Sequence, residues 1–316
     1  MQQRYLGRTG LRVSRLGLGT LTWGRDTDEH EARDQLKAFI EAGGTLLDTA
    51  AGYGDGASEE LIGALLGDVV HRDEVVLATK AGISRARGSR ETNASRGYLI
   101  QTLDASLARL GVDHVDLWQV HTWVDDTPIE ETLTALDYAV STGRAAYVGV
   151  SNYSGWQSAQ AATWQRAVPG RATLASNQVE YSLLNRAAEA EILPAATALG
   201  LGVLPWSPLG RGVLTGKYRT GTPADSRAAS PHFANFVGNY LTERNARIVE
   251  AVVKAADGLE WTPLEVALTW VRDRPGVTAP IVGARTAAQL RGSLSVEECV
   301  LPAEIVAALD DVSAED

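Results

Sequence analysis

The sequence predicts an α/β protein built as a closed parallel barrel of eight strand–helix units, a (β/α)8 or TIM barrel. Short apolar runs of strand length alternate with longer amphipathic segments along the 316 residues. Polar side chains stand where several of these runs end, and in parallel α/β folds such ends form one shared site. No linker or shift in composition marks a boundary, so we expect a single domain over residues 1–316.

A hairpin with its turn at residues 7–10 opens the chain, and the first strand follows around Leu16. A helix is predicted over 29–42, because Ala32, Leu36 and Phe39 have helical spacing and two glycines follow as a normal stop. The later strands are predicted at 45–48, 75–80, 115–121, 145–151, 173–179, 202–206 and 279–282. Helices are predicted at 58–66, 95–110, 129–142, 154–167, 186–199, 243–256 and 263–272, with extra helices at the C-terminus.

One long irregular stretch, residues 207–241, interrupts this alternation. It is polar, and Gly, Pro and Asp cluster at residues 221–225. A loop of this length inside a compact domain is unusual unless it is a lid or a binding loop. We therefore expect it to cover a cofactor or a substrate.

Composition narrows the functional classes. The net charge is −10 and no block of Lys and Arg stands out, which argues against nucleic acid and anionic membranes as partners. The single cysteine, Cys299, excludes an internal disulfide and a multi-cysteine metal site. Neither a signal peptide nor an apolar run of membrane-spanning length is present, so we expect a cytoplasmic protein, working as a monomer, with oligomers left open.

The polar residues at the predicted strand ends are the candidate site. Asp48, Lys80 and His121 each close a strand, and Tyr53 follows Asp48 by five residues in a glycine-rich loop. Each has an ordinary explanation on its own, such as a structural ion pair, a core histidine or a loop aromatic. Their occurrence together at consecutive strand ends indicates a constellation that carries chemistry.

These residue types suit proton donation. Tyrosine has a pKa of about 10 and is a poor acid at neutral pH, but an ammonium about 4 Å away favours the phenolate by up to ~4 kcal/mol. Lowering the pKa by ~2 units needs only ~2.7 kcal/mol, so Lys80 alone is enough for Tyr53. Asp48 would hold Lys80 charged, and His121 would orient a carbonyl oxygen. The predicted site donates a proton to an oxygen that gains charge during reduction.

At this point the sequence resembles the aldo-keto reductase superfamily, from Tyr5 to about Leu294. The matching motifs are LGRTGL at residues 6–11, LGLGT at 16–20 and DTAAGYG at 48–54, with Lys80 and His121 where the other catalytic residues of the family belong. The resemblance implies catalysis by Asp48, Tyr53, Lys80 and His121. It also implies a bound nicotinamide cofactor, usually NADPH, from which a hydride passes to an aldehyde or ketone while Tyr53 protonates the oxygen.

The resemblance also implies where the cofactor lies. Ser151, Asn152 and Gln178 hold its carboxamide, Asp48 is a further cofactor contact, and Trp206 stacks on the ring where many relatives have tyrosine. Further contacts are implied at the start of the barrel, in the loop after Trp206 and near the C-terminus, at Gly19, Thr20, Ser207, Leu209, Gly212, Gly283, Arg285 and Gln289. Ser293 stands where relatives often carry asparagine.

Substrate identity is less accessible from the sequence. Trp23, Trp123, Phe233 and Phe236 lie on predicted loops at the carboxyl end of the barrel, which we call the mouth. Together with Tyr53 and His121, Trp23 and Trp123 would form an apolar pocket for a small aldehyde or ketone. Such loops carry specificity without revealing the substrate.

Two other functional classes remain open. One is a cofactor-binding regulatory subunit with little turnover, as some relatives control a membrane partner. The other is a metal-dependent barrel hydrolase with Asp48 and His121 as ligands, although the other histidines lie in helix or loop contexts and we expect no metal. A two-domain Rossmann dehydrogenase is disfavoured, because no complete G-x-G-x-x-G follows any strand.

Overall fold

The computed structural model describes residues 1–84, 90–223, 226–229 and 234–314. Its strands, in chain order, are β1 (Gln3–Tyr5), β2 (Arg12–Ser14), β3 (Gly17–Gly19), β4 (Leu46–Asp48), β5 (Val76–Ala81), β6 (Ile83–Ser84), β7 (Glu91–Thr92), β8 (Val115–Val120), β9 (Ala145–Ser151), β10 (Leu174–Glu180), β11 (Gly202–Trp206) and β12 (Ile281–Val282). Eight of them, β3, β4, β5 and β8 to β12, form a closed barrel of parallel neighbours in which β12 pairs with β3. The predicted fold class is confirmed.

Helices surround this barrel. They are α1 (Glu29–Glu41), α2 (Ala57–Leu65), α3 (Arg96–Leu110), α4 (Ile129–Ser141), α5 (Gly155–Ala167), α6 (Ile192–Leu199), α7 (Ala234–Gly238), α8 (Glu243–Leu259), α9 (Pro263–Arg272), α10 (Ala287–Leu294) and α11 (Ala303–Val312). Local chemistry fixes their starts. In α9, for example, Thr262 and Glu265 form a reciprocal capping box and Pro263 occupies the first helical position, where its missing N–H costs nothing.

The N-terminal hairpin plugs the amino end of the barrel. Strands β1 and β2 pair antiparallel, as predicted, and Leu6 and Val13 pack inside the barrel against Leu46, Ala78 and Leu117. At Gly7, with a φ of +57°, a Cβ would lie 2.4 Å from the carbonyl oxygen of Gly200, so only glycine fits this turn. Because apolar side chains fill the amino end of the barrel, a polar site in its interior can form only toward the carboxyl end.

Strand periodicity then decides which side chains reach the mouth. Leu46 lies in the barrel interior and Leu47 packs against the surrounding helices, so Asp48 faces inward again, one level above Leu46. On β5, Ala78 lies in the same inner cluster and Lys80 stands one level above it. The inward-facing side chains at the ends of β4 and β5 are therefore the carboxylate of Asp48 and the ammonium of Lys80.

The structure corrects one predicted helix. Residues 186–199 are not one helix but a short 3₁₀ turn at Ala187–Glu189 followed by α6, Ile192–Leu199. Pro194 gives the physical reason, since its ring would clash with the carbonyl of Ala190 and it has no N–H to donate. The helix therefore restarts with Pro194 in its first turn.

Two small features were not predicted. Ile83–Ser84 and Glu91–Thr92 form a two-stranded antiparallel hairpin beyond the end of β5. Within the 207–241 stretch, helix α7 covers Ala234–Gly238. Among the described residues, none of the helices combines the length and apolar character needed to cross a bilayer.

Candidate active site

A buried ion pair lies at the centre of the mouth. Asp48 and Lys80 are 2% and 0% exposed, and the Lys80 Nζ donates to Asp48 Oδ2 at 2.6 Å. The parallel register pairs Asp48 with Ala78, so Lys80 projects from the next inward level toward the carboxylate. Burial lowers the pKa of Lys80, but the Asp48 carboxylate and then Tyr53 outweigh it, and the net pKa is raised. Lys80 is therefore an ammonium at neutral pH.

The same ammonium approaches the phenol of Tyr53. Its Nζ donates to the carbonyl of Thr49 at 2.8 Å and lies 3.5 Å from the Tyr53 hydroxyl oxygen. A turn at Tyr53–Gly56 carries the phenol, and Gly54 and Asp55 in it have φ values of +58° and +55°. This left-handed backbone bends the chain directly from the end of β4 into α2, leaving Tyr53 partly exposed above the ion pair.

His121 completes the group of four. It follows the last residue of β8, and its backbone N–H donates to the carbonyl of Ala81 at 2.8 Å, extending the β5–β8 ladder by one bond. Its ring meets Tyr53 edge-on, with centroids 5.9 Å apart and planes at 74°. Asp48, Lys80, Tyr53 and His121, which lie far apart in sequence, thus converge at one end of the barrel.

Amide and hydroxyl side chains from the next three strands continue the site. Gln178 Nε2 donates to the second carboxylate oxygen of Asp48 at 2.9 Å, and the Ser151 hydroxyl donates to the Gln178 carbonyl at 2.8 Å. Asn152 donates from Nδ2 to the carbonyl of His121 at 3.0 Å and accepts from the indole N–H of Trp206 at 2.9 Å. The predicted residues of β9, β10 and β11 are thus joined to the group of four by hydrogen bonds.

The loop after Trp206 has an unusual backbone. Ser207, Gly210, Arg211 and Gly212 all have positive φ, at +53°, +54°, +60° and +92°. The Gly210 N–H donates to the Ser207 carbonyl at 2.9 Å, so bonds of its own backbone close this turn. Leu209 sits inside this turn, and its carbonyl accepts from Gly212 at 3.0 Å.

The last predicted group lies at the start of α10. Thr286 caps the helix by accepting from the Gln289 N–H at 3.2 Å, and the Gln289 side chain accepts from the Arg285 N–H at 3.0 Å. Gly283 is exposed two residues before Arg285. Within the described ranges, no hydrogen bond or ion pair engages the Arg285 guanidinium. This cation is available to a ligand.

Comparison with known proteins gives the family. The model of the aldo/keto reductase family matches residues 15–314. The chain belongs to the aldo/keto reductase family. It is similar to the uncharacterized oxidoreductase YrpG of Bacillus subtilis (strain 168), with 39% identity over 99% of this chain and 96% of that protein. The family and its relatives support carbonyl reduction in general.

Two further relatives of this aldo/keto reductase carry informative names. The L-glyceraldehyde 3-phosphate reductase of Escherichia coli (strain K12) is 35% identical over 92% of this chain and 86% of its own length. A probable voltage-gated potassium channel subunit beta of Oryza sativa subsp. japonica is 37% identical over 90% of this chain and 87% of its own length.

Three residues of this aldo/keto reductase that the sequence predicted at the site are buried. Trp23 is 0% exposed and donates its indole N–H to Gln35, so it is a packed loop anchor and we do not retain it as a substrate contact. Gly19 is buried and Thr20 is 0% exposed, and Thr20 donates both its N–H and its hydroxyl to the Asp48 carbonyl. These two residues therefore lie against the backbone of Asp48.

The aromatic residues of the other loops make further contacts around the mouth. Trp123 packs edge-on against the buried Tyr153 and the exposed Trp156, on the rim of the mouth. Phe236 is stacked by the Arg211 guanidinium 3.6 Å from its ring centroid. Phe233 lies outside the described residues.

Sequence reasoning missed two contributors. The Thr49 carbonyl is a ligand of the Lys80 ammonium, and no side-chain signal marks a backbone oxygen. Arg211 stands in the loop after Trp206, where cofactor contacts are predicted, yet its guanidinium turns back to Glu180, with three bonds between 2.8 and 3.0 Å. Glu180, the charged last residue of β10, was the available signal. In the described part of the chain, no cluster of three or more His, Cys, Asp or Glu could hold a metal ion.

Proposed function

We propose that this chain reduces the carbonyl group of an aldehyde or ketone with NADPH, and that Tyr53 donates the proton. The single observation that carries the proposal is the Lys80 ammonium, held by Asp48 at 2.6 Å and lying 3.5 Å from the Tyr53 hydroxyl oxygen. When the phenol gives up its proton, a negative charge is left next to a fixed positive one. At about 4 Å such a pair is worth about 4 kcal/mol at an effective dielectric near 20.

Preorganisation makes this interaction useful. Asp48 is fixed on its other oxygen by Gln178, and Lys80 is fixed by the Thr49 carbonyl, so neither charge needs to reorient during proton transfer. The His121 ring lies beside the phenol and would orient the carbonyl oxygen of the substrate toward it. Tyr53 is then the general acid, Lys80 and Asp48 its electrostatic support, and His121 an orienting group.

The residues at the mouth fit a nicotinamide cofactor. Gln178, Ser151 and Asn152 offer amide and hydroxyl atoms beside the ion pair, and the half-buried Trp206 offers a ring face. The left-handed turn from Ser207 to Gly212 would lie along the pyrophosphate, and the Arg285 guanidinium would hold an additional phosphate at the adenosine end, beside Gln289. When bound, NADPH supplies the hydride.

The test replaces Tyr53 with phenylalanine. NADPH oxidation with 4-nitrobenzaldehyde is followed by absorbance, and cofactor binding is followed by nucleotide fluorescence. We expect turnover to fall by at least about 100-fold, within the range for loss of a general acid, while the dissociation constant of NADPH stays within a few-fold of wild type. Unchanged turnover with normal cofactor binding would rule out the proposed acid.

The second candidate is a cofactor-binding regulatory subunit, which the potassium channel relatives favour. The two functions differ in turnover. A panel of aldehydes, α-ketoaldehydes, ketosteroids and sugars, extended by glyceraldehyde 3-phosphate because of the Escherichia coli relative, separates them. Binding of NADPH without reduction of any member of the panel would favour the regulatory subunit.

A further inference from the structure

A second layer of buried polar groups lies behind the Lys80–Tyr53 pair, on the first turn of α2. Glu59 is 0% exposed, although it carries a charge. Its Oε2 accepts two bonds from Arg109 of α3, at 2.8 Å from Nε and 2.6 Å from Nη2. Its Oε1 accepts from the Thr79 hydroxyl at 2.5 Å. Within the described ranges, no hydrogen bond or ion pair joins the side chains of Glu59, Arg109 or Thr79 to the Asp48–Lys80 pair.

The position of Thr79 connects this layer to the site. Thr79 is the residue before Lys80 on β5, and strand periodicity turns their side chains to opposite faces. Thr79 therefore points out to Glu59 while Lys80 points in to Asp48. Fixing the outward side chain fixes the backbone from which the ammonium projects.

Ser58, the neighbour of Glu59, makes the corresponding contact to β4. Its hydroxyl shares a 3.0 Å hydrogen bond with the Thr49 hydroxyl and lies 2.8 Å from that of Thr20. Thr49 follows Asp48 and supplies the carbonyl that accepts from Lys80. The first turn of α2 is thus bonded to the residue after Asp48 and to the residue before Lys80.

The same layer touches the turn that carries Tyr53. Gly56 ends this turn, and a Cβ at its position would lie 2.8 Å from Cδ of Arg109. The aliphatic part of Arg109 therefore packs against the turn while its guanidinium holds Glu59. The Glu59–Arg109 ion pair therefore contacts both the strand that carries Lys80 and the turn that carries Tyr53.

Stability alone is a weak reason to bury this pair. The loss of hydration of a buried carboxylate and guanidinium roughly cancels their attraction, and apolar replacements are often as stable. Their value lies in fixed geometry, because charge-assisted hydrogen bonds define direction and length more strictly than apolar contacts.

We propose that Glu59, held by Arg109, is a positioning residue that sets the separation between the Lys80 ammonium and the Tyr53 phenol. The inference rests on the proposed function, since it assigns the pair a role in that proton transfer. Glu59 acts through Thr79 on the ammonium, and Arg109 acts through Gly56 on the phenol.

The test uses Glu59→Gln and Thr79→Val, with Glu60→Gln as the matched control. Glu60 is the next residue of the same helix and is exposed. Because a displacement of about 1 Å in an active site costs up to about 100-fold in rate, we expect kcat for 4-nitrobenzaldehyde to fall at least about tenfold in both test variants, with the dissociation constant of NADPH within twofold of wild type. Glu60→Gln should behave as wild type.

A purely structural pair gives a different result. Both test variants would then melt at a lower temperature but keep the wild-type kcat well below it, and this outcome overturns the proposal. Thr79→Val leaves the Glu59–Arg109 pair in place, so it keeps the test valid if Glu59→Gln fails to fold.

A second readout needs no turnover. In the cofactor-free protein, ionisation of Tyr53 is the part of the alkaline absorbance change near 295 nm that Tyr53→Phe removes. We expect this step to move to higher pH in Glu59→Gln and Thr79→Val, because the ammonium is no longer held beside the phenol. If the wild-type protein reduces no aldehyde, the proposed function fails. The pH of Tyr53 ionisation still tests the positioning role in that case. A step that stays at its wild-type pH overturns the positioning role.

Discussion

The indole N–H of Trp206 donates to Oδ1 of Asn152 at 2.9 Å, and Asn152 donates in turn to the carbonyl of His121. Asn152 has a φ of +58°, in the left-handed region that asparagine tolerates better than most residues, and these two bonds orient its side chain there. A tyrosine at position 206 could stack on a cofactor ring, but it lacks a donor at the indole position. Trp206 therefore links the proposed cofactor face to the residue proposed to orient the substrate.

Replacing Trp206 with phenylalanine keeps an aromatic face and removes the N–H. We expect kcat for an aldehyde to fall several-fold, because the exposed Asn152 loses the hydrogen bond to its Oδ1, which is worth about 0.5–1.5 kcal/mol. NADPH affinity, measured by fluorescence titration, should change by a smaller factor. Trp164→Phe, at an exposed tryptophan of α5, is the control. A variant that loses cofactor affinity but keeps kcat would contradict the coupling to His121.

Removing the charge of Lys80 should affect stability as well as turnover. Lys80→Met leaves the Asp48 carboxylate buried without its cation, which costs about 3–5 kcal/mol of unfolding free energy. Urea unfolding measures the loss. Adding Asp48→Asn to Lys80→Met should recover part of the stability but none of the turnover. If the loss of unfolding free energy in the double variant equals the sum of the losses in the two single variants, the two residues are not coupled as an ion pair.

The raised pKa of Lys80 predicts a dependence of stability on alkaline pH. A lysine whose folded pKa exceeds its unfolded value of about 10.4 stabilises the fold fully below that value and loses the contribution as the pH rises through the folded pKa. The stability difference between wild type and Lys80→Met should therefore be constant from pH 7 to about pH 10 and shrink at higher pH. Urea unfolding over this pH range measures the difference. A difference that grows above about pH 10 would mean that the pKa of Lys80 is lowered in the folded protein, which contradicts the prediction.

The capping box of α9 gives a prediction at acidic pH. Burial raises the pKa of Glu265, but bonds from the Thr262 backbone and side chain and from Ser295 outweigh it and lower the pKa below its usual range. The contribution is present above the usual pKa of about 4.3 and is lost as the pH falls through the folded value. Thr262→Ala should cost about 1 kcal/mol at pH 7 and less at pH 3 to 4. An equal loss at both pH values would show that the Glu265 charge plays no part.

Much of this molecule could be predicted from local patterns. The spacing of apolar residues gave the alternation of strands and helices, and β9, β11 and α9 have the predicted bounds. Asp48, Lys80 and His121 could be recognised because a charged or polar residue that ends an apolar strand must face a shared end of the sheet. Pro194 is equally visible in the sequence, and it accounts for the break in the helix predicted at 186–199.

Contacts between distant segments could not be predicted in this way. Whether an aromatic residue such as Trp23 lines a pocket or fills the core depends on what packs against it, here Gln35 of α1. Arg211 turns toward Glu180 rather than toward the open mouth, and the sequence offers both partners without ranking them.

The sequence by itself determined the barrel and the chemical groups available at its mouth, because strand period, helix period and strand-end polarity are properties of neighbouring residues. Only the tertiary structure decided that the Lys80 ammonium lies 3.5 Å from the Tyr53 phenol, and that Glu59 and Arg109 stand behind it. Such separations are set by the packing of β5, α2 and α3 against one another. A shift of one side chain's length in that packing would leave every motif intact and move the charges apart.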